Sequence, residues 1–317
     1  LEREIREVRI YGPDGKALRA NMNRVLGYTV DRPAFDQWLR DLAEDYGAEV
    51  LYNSYAYGFE ITKSAITVKT SSSGSYKKFE GKLMIGAFGA NPSLLRTLGV
   101  EPPEYMVSIQ LEMEGDRAQI DEAIGDILNF YVDSRFSDAS YGWVFPKRSY
   151  VSVGLTLSPF TRDLKERLYS FIKKHPIVSE QVAGLSLRKL LGKHDMLVHL
   201  NPNGVVRKTY GDRWLLVGDA AGFADPVTWE GIYYAISSAI IASKIAERIF
   251  ELGDYSSRTT RLYQYEWMKE YGYFDTEYLI RELLWMDDVD RRWEFIINYF
   301  NSNPRLRSFA KDLANAL

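Results

Sequence analysis

Cysteine is absent from the 317 residues of the chain, and histidine occurs only three times. The absence of cysteine excludes a disulfide-bonded scaffold, thiolate metal sites, cysteine-ligated iron–sulfur clusters and thiol nucleophiles. Three histidines leave little for a histidine-based metal site. At a spacing of five residues in a strand, His194 and His199 would face opposite sides, which favours solvated or core histidines over a metal-binding pair. We therefore expect no bound metal.

A dominant charge sign and a long apolar run are also missing. The 40 basic side chains are balanced by 43 acidic ones, for a net charge of −3, which argues against nucleic acid as the main partner. No run approaches the ~18 apolar residues that a membrane span needs, so we expect a cytoplasmic protein. With 26% charged and 46% hydrophobic residues the composition is globular, and the length indicates about two domains.

Strand and helix patterns are mixed without strict alternation, so a simple doubly wound sheet is not expected. Strands are predicted over residues 4–10, 16–20, 24–30, 49–52, 82–86 and 213–218, as a three-strand meander over 55–80, as an antiparallel sheet over 105–156, and as a pair between 185 and 207. Helices are predicted over residues 32–46, 117–127, 162–174 and 230–252, as a short helix ending at 98, and as helical segments over 256–317.

The most informative segment is residues 214–235, WLLVGDAAGFADPVTWEGIYYA. Its apolar strand delivers Gly218 and Asp219 at a carboxyl end, where open α/β sheets place ligands. Asp219 can accept hydrogen bonds from the hydroxyls of a ribityl or ribose chain, and Gly218 and Gly222 let the backbone approach a ligand closely. The alternative is a strand–turn–helix corner with glycines for its turns and the aspartate as a cap.

The same segment then enters a long helix through Pro226. The first turn of this helix, near Gly231, should carry partial positive charge and free N–H groups. Such an end suits a flavin ring, which becomes anionic at its pyrimidine edge when it is reduced. Pro226 and Gly231 are therefore candidate cofactor-binding residues.

Residues 214–235 resemble the second FAD-binding motif of the geranylgeranyl reductase family, within the p-hydroxybenzoate hydroxylase-like flavoproteins. Residues 32–42 (RPAFDQWLRDL) resemble the family's Arg-x-x-Phe-Asp helix, which implies that Arg32 lies near the cofactor. Residues 85–99 (IGAFGANPSLLRTLG) resemble a strand–turn that usually reads Gly-Ala-Asp-Gly-x-x-Ser, which implies that Gly89 borders the flavin pyrophosphate. Phe88 replaces the usual aspartate, so the polar contact of that aspartate is not assured. The alternative for this turn is a simple strand–helix connection.

Residues 141–147, YGWVFPK, match the Tyr-x-Trp-x-Phe-Pro element of the same family. In a strand, Tyr141, Trp143 and Phe145 point to one face and form an apolar wall suited to a flavin ring or a prenyl chain. The alternative is a core-facing strand, and flavin-dependent halogenases carry a similar Trp-x-Trp-x-Ile-Pro element. These three residues are the candidate catalytic residues. Lys147 is either a contact for an anionic headgroup or a solvated lysine.

The resemblance implies an α/β fold in which a Rossmann-like FAD/NAD(P)-binding domain carries an inserted antiparallel-sheet domain and a C-terminal helical region. We assign residues 1–100 and 205–250 to the FAD-binding domain, 101–204 to the substrate-binding domain and 251–317 to the C-terminal helical region. No Gly-x-Gly-x-x-Gly occurs in the chain, so the unit that holds the ADP half of FAD in this family is missing from it. We interpret the chain as N-terminally incomplete and expect residues 1–317 alone to bind FAD poorly.

The function that the resemblance implies is an FAD-dependent reductase of double bonds in the isoprenoid (geranylgeranyl) chains of a prenyl lipid or isoprenoid diphosphate. NAD(P)H, ferredoxin or another flavoprotein would supply electrons, and peripheral contact with a membrane is compatible with such a substrate. One alternative is an FAD-dependent aromatic monooxygenase or halogenase, which oxygen consumption would reveal. The other is a non-catalytic prenyl-lipid or quinone carrier, which would purify without flavin absorbance.

The C-terminal region is rich in aromatic residues at spacings compatible with helix faces. We expect most of them to lie in the core, with some lining a tunnel or an apolar patch for a lipid chain. These residues are Tyr263, Trp267, Tyr271, Phe274, Tyr278, Trp285, Trp293, Phe295, Tyr299 and Phe300.

Overall fold

The computed structural model describes residues 1–21, 24–188, 196–225 and 228–272, together with Asp290 and Glu294. The chain forms two compact units. Unit 1 comprises Leu1–Glu49, Met106–His199 and Leu284–Leu317. Unit 2 comprises Val50–Tyr105 and Leu200–Leu283.

Strands and helices follow each other along the described chain in a mixed order. They are β1 (Arg3–Ile5), β2 (Glu7–Tyr11), β3 (Ala17–Asn21), β4 (Gly27–Thr29), α1 (Arg32–Asp45), β5 (Tyr55–Ile61), β6 (Ile66–Ser72), β7 (Ser75–Gly81), β8 (Met84–Gly86), α2 (Pro92–Thr97), β9 (Tyr105–Glu114), α3 (Arg117–Ala123), β10 (Ile127–Tyr131), β11 (Gly142–Pro146), β12 (Tyr150–Leu157), α4 (Leu164–Lys174), α5 (Pro176–Gln181), β13 (Ser186–Leu187), β14 (Leu197–Pro202), β15 (Tyr210–Gly211), β16 (Trp214–Leu216), α6 (Ile232–Leu252) and α7 (Ser257–Tyr271). A short 3-10 turn, Gly218–Ala220, follows β16.

Unit 1 is built on a large sheet with the strand order β13-β9-β12-β11-β10-β2-β3, in which β14 also pairs with β9. Strand β10 pairs with β2 in parallel, and the other neighbours along this strand order pair antiparallel. One face of the sheet packs against α3, α4 and α5, where Val144, Val153 and Leu155 meet Ile120 and Phe171 in one buried core. Alternation along each strand then assigns every other side chain to the opposite face.

Unit 2 contains two small sheets. The meander β5-β6-β7 is antiparallel, and the second sheet has the order β15-β16-β8 with β16 and β8 parallel. In the core of this unit, β16 packs against helices α6 and α7. Leu215, Ala242, Ile249 and Tyr263 are fully buried there. Burial of this apolar surface is the main stabilising term for the unit.

Three helix ends in the structure have local causes. Asp31 accepts a hydrogen bond from the Ala34 N–H and begins α1 ahead of Pro33, while Asn91 accepts from the Leu94 N–H and begins α2. Helix α6 ends at Gly253, whose left-handed conformation (φ 65°) suits glycine.

Three secondary-structure predictions need correction. The strand predicted over 49–52 is absent, because this stretch is irregular and turns at Asn53 with φ 54°. The strand predicted over 24–30 is shortened to Gly27–Thr29. Helix α5 was missed, because it is a single short segment that begins at Pro176 directly after α4.

The two units differ from the predicted domains in two places, at residues 1–49 and at helix α7. Residues 1–49 lie in unit 1, because β2 pairs with β10 of the large sheet, whereas the sequence assigned them to the FAD-binding domain. Helix α7, which the sequence assigned to a separate C-terminal region, shares the core of unit 2. The functional assignment of each domain stays a prediction.

Candidate functional site

The predicted Gly-Asp motif lies at a corner of unit 2 that is formed by two neighbouring parallel strands. Strand β16 pairs with β8 in register from Trp214 with Met84 to Leu216 with Gly86. The Val217 N–H donates to the Gly86 carbonyl over 3.1 Å. The turns that follow the two strands therefore begin side by side at one carboxyl edge, which is where α/β sheets bind ligands.

Glycine is required at two positions of the turn 218–222 by contacts within the protein. Gly218 has φ 55°, its N–H donates to Ser238 Oγ over 3.0 Å, and a Cβ would lie 3.1 Å from the Ala235 Cβ. Gly222 has φ 81°, and a Cβ there would lie 2.1 Å from the Gly204 carbonyl oxygen. The close approach at Gly222 is thus to the chain's own backbone, and its contact with a cofactor stays a prediction.

Asp219 is half-buried at this corner. Its carboxylate lies against Gly231, where a Cβ would come within 3.1 Å of Oδ1. The negative charge of Asp219 also contributes to a raised pKa of the Tyr105 phenol, although burial is the larger cause. The structure therefore brings Gly218, Asp219 and Gly231 together, as the sequence predicted, and adds Tyr105.

The expectation of free N–H groups at the start of α6 is wrong for two of them. Glu230 folds back and accepts hydrogen bonds at Oε1 from the Ile232 N–H (2.7 Å) and the Tyr233 N–H (3.0 Å). Glu230 directly precedes the N-cap residue Gly231, and its carboxylate satisfies these donors and complements the helix dipole. Burial raises the pKa of Glu230, and the two backbone hydrogen bonds oppose that rise. Pro226 lies outside the described residues.

The turn after β8 is open at Gly89, which has φ 66° and no atom within 4 Å of a Cβ position. Phe88 packs inward instead, with its ring 6.1 Å from the Phe59 ring and 2.8 Å from a Cβ position on Gly86. The residue that replaces the family's aspartate is thus a packing residue and offers no polar contact. That Gly89 borders the flavin pyrophosphate stays a prediction.

Helix α7 supports the Gly-Asp corner from within the core of unit 2. The Tyr263 hydroxyl donates to the Leu216 carbonyl over 2.8 Å, and the Trp267 indole N–H donates to Thr209 Oγ1 over 2.7 Å. Tyr263, Trp267 and Tyr271 are buried, which confirms the core assignment for these aromatics. The remaining C-terminal aromatics of the prediction lie outside the described residues.

In unit 1, Tyr141, Trp143 and Phe145 share one face of β11, as strand alternation predicted. Val144, between them, belongs to the core on the opposite face. Phe130 of β10 joins the three rings, since its ring meets those of Tyr141 and Phe145 edge-on at 5.1 Å each. We name this set of four rings the aromatic wall. Phe130 was missed because the pairing of β10 with β11 is a tertiary property.

Trp143 is the most buried member of the aromatic wall, with 8% exposure. Its indole lies over Gly154, where a Cβ would come within 2.2 Å of Cζ2. The indole N–H donates to Ser152 Oγ over 3.3 Å, and Ser152 Oγ lies 3.4 Å from Gln110 Oε1. The indole is therefore held flat, while Tyr141 and Phe145 stay half-buried.

A polar cluster lies on the same sheet face, and the sequence did not predict it. Arg188 pairs with Glu112 over 2.9 Å, and its guanidinium lies 4.1 Å from the centre of the Tyr150 ring. Burial is the main cause of the raised pKa of Glu112 and of Tyr150. Glu112 is opposite Ser152 in the register of β9 with β12, so the face combines an aromatic half with a charged half.

Lys147 ends the aromatic strand and is not a solvated lysine. Its Nζ donates to the Val30 carbonyl, and burial lowers its pKa. This contact joins the end of β11 to the start of α1, where Arg32 pairs with Asp36 through two nitrogens at 3.2 and 3.1 Å. Arg32 is mostly exposed, and its contact with a cofactor stays a prediction.

The residues of the Gly-Asp corner fit a dinucleotide with a sugar-alcohol linker. Asp219 supplies a carboxylate acceptor for hydroxyl groups, and the buried Tyr105 hydroxyl has no hydrogen-bond partner among the described residues. A ligand hydroxyl can donate to the first group and accept from the second. No group of three or more possible metal ligands occurs within the described ranges, and no helix there is long and apolar enough to cross a bilayer.

The chain is similar to known reductases in sequence. Digeranylgeranylglycerophospholipid reductase of Methanocaldococcus jannaschii is 25% identical over 322 residues, covering 96% of this chain and 81% of that protein. Digeranylgeranylglycerophospholipid reductase 2 of Methanopyrus kandleri is 30% identical over 283 residues, covering 85% of this chain and 67% of that protein. No protein-family model matches the chain.

Solved structures agree with these relatives. A geranylgeranyl bacteriochlorophyll reductase-like protein from Thermoplasma acidophilum matches with a TM-score of 0.78 and 25% identity, over 92% of this chain and 73% of that chain. A flavin-dependent brominase matches with a TM-score of 0.74 at 17% identity, over 99% of this chain and 77% of that chain, which shows the shared fold. The chain therefore belongs to the geranylgeranyl reductase family and is a flavoprotein oxidoreductase with FAD as its cofactor.

Proposed function

We propose that this protein reduces the isoprenoid double bonds of a lipid of the digeranylgeranylglycerophospholipid type. The substrate class comes from the relatives that carry this name. The observation that carries it to this chain is the aromatic wall, because four neighbouring rings on one sheet face provide an extended apolar surface. Burial of a prenyl chain against such a surface contributes roughly 0.8 kcal/mol per methylene.

The reaction adds one hydride and one proton across a carbon–carbon double bond. Bound FAD in its reduced form supplies the hydride. The residues of the chain bind the cofactor, orient the alkene and exclude water. We propose that Asp219 accepts hydrogen bonds from the cofactor's hydroxyls and that the aromatic wall orients the prenyl chain.

The proton for the second alkene carbon comes from a group other than a thiol, because the chain contains no cysteine. The hydroxyl of Tyr141 is our candidate donor, since it is the titratable group of the aromatic wall. An ordered water or the flavin itself are the other sources. A Tyr141→Phe variant separates them, because only a tyrosine donor predicts a large loss of turnover with unchanged binding of lipid.

The reductant and the contact with lipid membranes complete the proposal. We propose NAD(P)H, ferredoxin or a second flavoprotein as electron donor, and peripheral contact with the membrane that holds the lipid. The donor is to be identified by direct comparison of the three.

The test is anaerobic incubation of the FAD-loaded full-length protein with a digeranylgeranyl phospholipid and each reductant, with dithionite as a chemical control. Mass spectrometry of the lipid should show the gain of one hydrogen pair for each reduced double bond. Absence of reduced lipid with every reductant, together with flavin oxidation by oxygen and hydroxylation or halogenation of an aromatic compound, would establish the monooxygenase or halogenase alternative. Purification without flavin, combined with binding of prenyl lipid, would establish the carrier.

A further inference from the structure

The hydroxyl of Tyr105 is buried at the Gly-Asp corner and lacks a hydrogen-bond partner among the described residues. A buried hydroxyl without a partner destabilises a protein by about 1–3 kcal/mol. Such groups are uncommon in native structures and point to a missing ligand or water. Tyr105 belongs to none of the motifs by which the sequence indicated the site.

Backbone contacts within unit 2 hold Tyr105 beside the turn 218–222. The Asn203 N–H donates to the carbonyl of Glu104, the preceding residue, over 2.8 Å. The segment that follows Asn203 packs on the turn, since the Val206 N–H donates to the Ala221 carbonyl over 3.0 Å. The position of Tyr105 is therefore set by the same segment that forces glycine at position 222.

Two charged side chains lie close enough to Tyr105 to act on its phenol. Burial raises the pKa of Tyr105, the guanidinium of Arg96 opposes that rise, and the carboxylate of Asp219 adds to it. The phenol is therefore protonated at neutral pH and available as a donor. Asp219 as a carboxylate can only accept, so Tyr105 can supply a donor and Asp219 an acceptor at this corner.

We propose that the Tyr105 hydroxyl donates a hydrogen bond to a hydroxyl oxygen of the cofactor's ribityl chain and, with Asp219, positions that chain. This proposal rests on the cofactor site of the proposed function. A neutral hydroxyl suits the pair because it donates to the carboxylate while it accepts from the phenol. A phosphate oxygen suits it less, since a phosphate is anionic and would be repelled by Asp219.

The experiment compares the Tyr105→Phe variant with the unmodified full-length protein by titration with three flavins. These flavins are FAD, riboflavin, which keeps the ribityl chain without phosphates, and lumiflavin, which lacks the chain. We expect Tyr105→Phe to weaken the binding of FAD and of riboflavin by about threefold to tenfold, the effect of one neutral hydrogen bond, and to leave the binding of lumiflavin unchanged. The proposal would be overturned if lumiflavin binding were weakened equally, or if the variant weakened the binding of FAD but not that of riboflavin.

Two further variants separate a wrong role for Tyr105 from a wrong assignment of the cofactor site. Tyr265→Phe removes an exposed hydroxyl from α7 of the same unit and should change neither affinity nor stability. Asp219→Asn should weaken FAD binding more than Tyr105→Phe does. If Asp219→Asn loses FAD while Tyr105→Phe binds normally, the site stands and the role of Tyr105 is wrong; if neither variant loses FAD, the Gly-Asp corner is not the cofactor site.

Thermal melting separates a cofactor-binding role of Tyr105 from a structural one, because the two roles predict opposite changes in the melting temperature of the cofactor-free variant. Without cofactor, Tyr105→Phe should melt at the same temperature as the unmodified protein or higher, because an unsatisfied buried hydroxyl has been removed. With saturating FAD, the gain in melting temperature should be smaller for the variant. A cofactor-free variant that melts well below the unmodified protein would assign Tyr105 a purely structural role.

Discussion

The indole of Trp143 lies flat on the backbone of Gly154, and no side chain fits between them. A methyl group at Gly154 would come within 2.2 Å of the indole Cζ2. Gly154→Ala should therefore turn the indole away and break its hydrogen bond to Ser152. We expect a loss of about 1–3 kcal/mol of stability from overpacking and reduced lipid turnover, measured by denaturant unfolding and by the lipid reduction assay.

Gly27 provides the matched control for this substitution. Gly27 lies in β4 of the same unit, and its backbone is outside the left-handed region, so alanine fits there without strain. No atom lies within 4 Å of a Cβ position on this residue. Gly27→Ala should leave stability and turnover within experimental error. Equal behaviour of the two alanine variants would contradict the assigned packing of Trp143.

Replacement of Trp143 itself should separate lipid turnover from cofactor binding. We expect Trp143→Ala to lower kcat/KM for prenyl lipids at least tenfold, because a large apolar surface of the aromatic wall is removed. FAD affinity should change less than twofold. A Trp143→Ala variant that reduces prenyl substrates normally would remove the aromatic wall from the substrate site.

Asp219→Ala should cut FAD retention severely and leave the fold largely intact. The carboxylate is the acceptor that we assign to the cofactor's hydroxyls, and Asp219 is half-buried rather than part of the buried core. The measurement is flavin content of the purified full-length protein by absorbance, with circular dichroism as the check on folding. Unchanged flavin content would refute the assignment of Asp219.

His175 should make the protein less stable as the pH falls below neutrality. Burial lowers the pKa of His175 to about 4, and its Nδ1 accepts from the Val178 N–H at the start of α5. Protonation would turn this acceptor into a donor. The stability is therefore complete above the unfolded pKa of about 6.5 and is lost between about 6.5 and 4, by up to about 3 kcal/mol.

The His175→Asn variant tests this pH dependence. Asparagine keeps a cap acceptor but does not titrate. The difference in unfolding free energy between the two proteins should therefore shrink as the pH is lowered from 7 to about 4. A difference that stays constant over this range would show that His175 contributes nothing to acid sensitivity.

Tyr263→Phe should destabilise the protein because it removes a buried hydrogen bond from the core of unit 2. The hydroxyl of Tyr263 donates to the carbonyl of Leu216 in the core of unit 2, and its loss leaves a buried carbonyl without that partner. We expect a cost of about 1–3 kcal/mol in denaturant unfolding. Tyr265→Phe, on the exposed side of the same helix, should leave the unfolding free energy unchanged.

Local pattern alone determined several elements of the site. Period-two alternation was sufficient to put Tyr141, Trp143 and Phe145 on one face, because a strand has no other way to arrange its side chains. The apolar run before Gly218 was sufficient to predict the strand β16 (Trp214–Leu216), which leads into the turn that carries Asp219. The capping side chain of Asp31 marked the start of α1, since this hydrogen bond joins residues three positions apart.

Only the tertiary structure decided which distant residues meet. Phe130 joins the aromatic wall through the register of β10 with β11, and Tyr105 reaches the Gly-Asp corner through the backbone contact of Glu104 with Asn203. Glu230 occupies the N–H groups that the sequence left free, because a local pattern does not state where a flexible side chain turns. Pairings between segments of high sequence separation depend on the whole core, so no pattern within one segment specifies them.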